Sequence, residues 1–107
     1  DWQVTIEDIL DDGDFEKIES WGINDHAAMI EKLEASEIFT DQLNENQITN
    51  LAEYFVRLPS EIAMKLWTVL GDADNMQNVV ALHKAKTHDG KLVSNHLVEI
   101  LGGNTED

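Results

Sequence analysis

The stretch from Leu58 to Gly71, LPSEIAMKLWTVLG, constrains the fold of this chain more than any other. Ile62, Leu66, Val69 and Leu70 fall at i, i+4, i+7 and i+8, one face of an α-helix. Met64 and Trp67 lie three apart on a different face, and only Glu61, Lys65 and Thr68 are polar inside it. A helix apolar on two faces is normally surrounded by other helices. Ser60 after Pro59 is a candidate N-cap, and Gly71 is the expected left-handed residue at the end. The expected fold is therefore all-α: a small irregular or orthogonal bundle of five or six short helices around a central helix at about 60–70.

The flanking sequence fits that reading. In the first 23 residues, Thr5 with Asp8 approximates a capping box, Ile6, Ile9 and Leu10 form a small apolar face, and Gly13 stops it. Asp14 then caps a turn carrying Phe15, Ile18 and Trp21, ended by Gly22, which makes 1–23 a candidate peripheral helical hairpin. Trp2 and Val4 are expected to pack back onto the domain or onto a partner. A helix is expected over about 25–36, capped by Asn24 or Asp25, with Ala28, Met29, Ile30 and Leu33 inward. SEIFTDQLNENQ reads as a short helical turn or irregular connection. Asn44 and Gln47 form a capping box for a helix over about 45–58 that buries Ile48, Leu51, Ala52, Phe55 and Leu58 and ends before Pro59. Asp72 or Asp74 is the expected cap of a helix over about 75–86 with Met76, Val79, Val80 and His83 aligned. THDG (87–90) is a turn, 92–101 a final helix, and 102–107 a polar tail. LVSNHLV has the composition of a strand and is the main competitor to the all-α reading.

Length and composition narrow the function. The 107 residues suffice for one domain. There is no cysteine, which removes disulfides, thiol nucleophiles and Cys-ligated zinc and is compatible with a cytoplasmic protein. No apolar run approaches the ~20 residues that span a bilayer, so no membrane association is expected. No basic segment followed by an apolar one marks a secretory signal, and the opening Asp1 suggests a processed chain or a piece of a longer one. Charge is the strongest signal. The chain carries a formal −15, and residues 1–45 hold fourteen acids against two bases. Such a field repels nucleic-acid phosphates and attracts basic surfaces.

Catalytic motifs are missing. The segment Asp8 to Glu19 places Asp12, Gly13 and Glu19 at calcium-loop positions five, six and twelve, but Leu10 occupies position three, where an oxygen ligand is required. His26, His83, His88 and His96 match no compact zinc spacing; His83 and His96 sit on apolar stripes, the usual place of a hydrogen-bonded core histidine. Glu53 and Glu99 are the acids closest to apolar residues, and both are expected to face water. Ser20, Ser36, Ser60 and Ser94 lack a G-x-S-x-G context, and no phosphate-binding glycine loop is present. No enzyme activity, cofactor or metal is expected. The candidate partner-binding residues are Asp8, Asp11, Asp12, Asp14, Glu16 and Glu19, with Trp21 as an anchor. Closure of an N-terminal subcore is the competing role of Trp21.

LPSEIAMKLWTVLG, NVVALHK and VSNHLVEILGG together resemble the C-terminal helical tail of some phage and bacterial MoxR-type AAA+ ATPases. That family binds and hydrolyses ATP and remodels partner proteins, often beside a von Willebrand A-type partner. Its phosphate-binding loop, Walker B acids and arginine finger have no counterpart here; Arg57 is the only arginine and lies inside an expected helix. The resemblance thus implies a non-catalytic accessory region. Two function classes follow: an acidic protein-interaction domain whose partner offers a basic face, and an acidic nucleic-acid mimic that occupies the basic groove of a DNA-binding protein. Mimicry requires carboxylates in two rows on one rigid face.

Overall fold

The computed structural model describes residues 6–35 and 38–101. Among them six α-helices follow in order: α1 Ile6–Asp12, α2 Ile23–Ala35, α3 Glu45–Arg57, α4 Ser60–Asp72, α5 Met76–Lys84 and α6 Val93–Ile100. Short 3-10 turns at Phe15–Ile18 and Ile38–Thr40 join the first three. No described residue belongs to a strand; one isolated antiparallel bridge, Lys86 with Leu92, closes the turn before α6. Of LVSNHLV all but Leu92 is helical, and the architecture is the expected small all-α bundle. Thr5, Trp2 and Val4, and the tail 102–107, lie outside the described residues.

α4 buries the face its spacing predicts, Ile62, Ala63, Leu66, Val69 and Leu70, against α2, α3 and α5. Its second face is shallower: Met64 and Trp67 are half-buried. The Trp67 ring stands 6.0 Å from Phe55 and 6.4 Å from His83. Both ends of the helix differ from expectation. Pro59 is the N-cap, without a side-chain cap from Ser60. At the other end the helix runs through Gly71 to Asp72, and the left-handed residue is Asp74 at φ 65°. Aspartate tolerates that conformation because its short polar side chain bonds locally.

α3 is the most enclosed helix. Asn50 to Phe55 are buried without a break, because α1, α4, α5 and α6 all pack on it. Its start is the expected reciprocal cap: the Asn44 side chain accepts from Gln47 N at 2.8 Å, and Asn44 N donates to Gln47 Oε1 at 2.9 Å. Ile9 and Leu10 of α1 are fully buried, and Ile18 and Trp21 nearly so, so the N-terminal segment contributes to the shared core. α1 ends at Gly13, whose φ of +63° is easy only for glycine.

Three buried polar side chains tie distant segments together. Asn50 donates to Leu10 O at 2.7 Å. Asn78, 1% exposed, accepts from Leu43 N at 2.9 Å and donates to Phe39 O at 3.0 Å and Asp41 O at 2.9 Å. Glu53, expected to face water, is instead buried and accepts from His88 N, holding the 87–90 turn against α3. Glu99 does face water.

α5 turns differently from the sequence reading. Its cap is Asn75, which accepts from Gln77 N, rather than Asp72 or Asp74. Its inward face is Asn78 and Leu82; Met76, Val80 and His83 are exposed. His96 on α6 does lie inside, edge-on to Phe55 at 5.7 Å, but neither ring nitrogen has a hydrogen-bond partner.

Candidate functional site

The expected partner-binding residues occupy the end of α1 and the 3-10 turn that follows. Asp11 and Asp12 close α1 and are exposed. Asp11 accepts from Gln47 Nε2 at 2.9 Å, so the capping side chain of α3 also fixes the acidic end of α1. Asp8 and Asp14 are half-buried and joined through the backbone, Asp14 N donating to Asp8 O at 3.4 Å. Glu16 and Glu19 are exposed on and after the 3-10 turn. Asp14, expected to cap that turn, makes no side-chain cap. Leu10, the residue that breaks the calcium-ligand pattern, points into the core. Among the described residues no three His, Asp or Glu side chains are grouped to hold a metal ion.

Trp21 is not a protruding anchor. Only 9% of it is exposed, and it forms a wall of an open cavity of about 410 Å³. The cavity brings Glu19 and Trp21 together with Phe15, Ile18, His26 and Arg57. It does not include Asp8, Asp11, Asp12, Asp14 or Glu16; of these, Asp11, Asp12 and Glu16 are exposed and Asp8 and Asp14 half-buried. Two residues to which the sequence assigned no binding role complete it. Arg57, in the last turn of α3, lays its guanidinium 4.5 Å above the Phe15 ring and comes within 3.8 Å of Glu53 Oε1. A guanidinium over an aromatic face is attracted by the ring quadrupole. His26, in the first turn of α2, lies 5.3 Å from Trp21 and 5.8 Å from Tyr54, ring centre to ring centre. Its Nδ1 is 3.2 Å from the Tyr54 hydroxyl.

Burial governs the titration of this group. It lowers the His26 pKa, and the Asp25 carboxylate opposes the shift. It pushes the Tyr54 phenol well above its ordinary range, so Tyr54 stays protonated and able to donate at any physiological pH. The arrangement is an aromatic slot with one cation at its edge and a fringe of carboxylates outside. It can seat an apolar or amphipathic side chain while the outer acids meet basic groups.

Comparison with protein-family models, with curated proteins and with solved structures finds no match.

Proposed function

We propose that this chain is a non-enzymatic, acidic helical protein-interaction domain whose N-terminal end docks on a basic surface of a partner protein. One observation carries the reading: exposed Asp11, Asp12, Glu16 and Glu19 lie along the end of α1 and the 3-10 turn after it, on a backbone tied to α3 by buried Ile9 and Leu10 and by the Asn50 bond to Leu10 O. A fixed patch of like charge steers association and discriminates partners, whereas a mobile acidic tail mainly adds solubility. The Trp21 cavity supplies an adjacent apolar foothold, in keeping with the enrichment of aromatics at interface centres. A cytoplasmic location is part of this proposal, and a chain without cysteine is compatible with it. No described helix is long and apolar enough to cross a membrane.

The partner we favour is a component of a larger ATPase machine, following the resemblance of residues 58–103 to MoxR-type tails. The test is capture by the immobilised full chain at low and high salt, beside a variant carrying Asp11→Asn, Asp12→Asn, Glu16→Gln and Glu19→Gln. All four positions are exposed, so the variant should fold, with an unchanged far-ultraviolet circular dichroism spectrum. Capture should fall with salt and with neutralisation. Binding indifferent to both overturns the reading. A captured DNA-binding protein that duplex DNA displaces would favour nucleic-acid mimicry instead, the second reading that the −15 charge supports.

A further inference from the structure

A second surface, separate from the N-terminal end, has the build of a helix-binding groove. α2 and α4 pack side by side, and between them runs an open trough of about 390 Å³. Its floor is apolar: Ile30 from α2, Met64 and Val69 from α4. Ile30 and Val69 belong to the core, while Met64 is half-buried. Methionine is flexible and polarizable and adapts to varied apolar partners. Glu31 and Glu34 form one rim, Glu61 stands on the other, and Lys65 is the single cation among the lining residues. The three glutamates are exposed, and none is engaged in an ion pair among the described residues.

The spacing sets the shape of the occupant. Glu61, Lys65 and Thr68 lie at i, i+4 and i+7 on α4, so this wall extends for about two helical turns, roughly 10 Å at 1.5 Å per residue. An amphipathic helix laid in a groove uses the same repeat, with apolar anchors at i, i+3 or i+4, and i+7. The rim sets its charge: three carboxylates against one ammonium favour lysine and arginine beside the apolar stripe. We propose that the α2–α4 groove binds a basic amphipathic helix of a partner protein, with leucine-like side chains on Ile30, Met64 and Val69 and cations against Glu31, Glu34 and Glu61. This adds a second contact to the docking proposed above and does not depend on it.

The probe is a synthetic fifteen-residue helical peptide with leucines at i, i+3, i+4 and i+7 flanked by lysines. Two controls accompany it: the same peptide with glutamates for lysines, and one with serines for leucines. Titration into the isotopically labelled full chain, read by amide and methionine-methyl NMR shifts, should move the Met64 methyl and the amides around residues 30–34 and 61–69. Both control peptides should bind at least about tenfold more weakly. A double charge reversal, Glu31→Lys with Glu61→Lys, changes only exposed side chains and should weaken the basic peptide by about tenfold or more. The N-terminal neutralised variant should bind it as the unaltered chain does. Equal binding of the lysine and glutamate peptides, full binding by the serine peptide, or shifts confined to residues 8–21 would each overturn the proposal. The last outcome would leave the N-terminal reading standing, and loss of N-terminal capture with an intact groove titration would do the reverse.

Discussion

Replacing Asn78 with alanine should remove about a fifth or more of the stability of this fold. The carboxamide is 1% exposed and serves three main-chain groups, Leu43 N, Phe39 O and Asp41 O. Truncation leaves a donor and an acceptor buried without a partner, at about 1–3 kcal/mol each. The Asp41 bond is only part-buried, and water can replace it at smaller cost. Alanine returns about 0.5 kcal/mol of helix propensity. The net loss is about 3–4 kcal/mol, against the ~5–15 kcal/mol typical of whole domains. In a urea titration followed by circular dichroism, with an m-value of about 1.5 kcal/mol/M, the midpoint should fall by about 2 M. Asn78→Leu separates cavity from hydrogen bond. It fills the volume and restores none of the bonds, so it should be nearly as damaging. Recovery of wild-type stability by leucine would show that packing, not the polar tie, sets the cost. A midpoint shift under about 0.5 M for both variants would refute the reasoning that buried carboxamide bonds hold the 39–43 connection.

Three further outcomes follow from the same structure. Gly13→Ala must adopt a positive φ and places a methyl 3.0 Å from Asn50 Oδ1, in a side chain already bonded to Leu10 O; the cost should be about 2–3 kcal/mol by urea denaturation, and a neutral result would exclude the left-handed turn. Burial, with a smaller contribution from Lys91, lowers the His96 pKa against the pull of Glu99, and burial lowers His26. The unfolded chain therefore takes up protons first as pH falls: the histidine contribution is complete above about 6.5 and declines below it, so the urea midpoint should drop from pH 7.5 to 5.5, less steeply in His96→Gln, and a flat wild-type profile would contradict this. Trp67→Ala should cost about 2–3 kcal/mol, below the range for a fully enclosed ring because Trp67 is half-buried, and a loss under about 1 kcal/mol would mean that its contact with Phe55 contributes little.

The helices were readable wherever apolar spacing and punctuation agreed. α3 had both, in the Asn44–Gln47 cap and in Pro59. Near residue 72 the signals were redundant: Gly71, Asp72, Asp74 and Asn75 are all turn or cap formers, and only packing chooses Asn75 as the cap and Asp74 as the left-handed residue. α5 misleads for a related reason. Its inward face carries Asn78, so hydrophobicity selects the opposite stripe of Met76 and Val80, which the fold leaves exposed. Glu53 reads as a wet residue because its partner, the His88 amide, is 35 positions away and leaves no local trace. At the N-terminal end the acids were visible as charge, but the enclosure of Trp21 and the approach of Arg57 to Phe15 depend on contacts across the bundle that no local pattern encodes.

The tie between Asn50 and Leu10 has a consequence for biosynthesis. Forty residues separate the two, so the packing of Ile9 and Leu10 on α3 forms only after the chain between them has been made. At about 5–20 residues per second on the ribosome, α1 waits some seconds for that partner. Over that interval the net negative charge of residues 1–45 opposes association between copies of the unfinished chain.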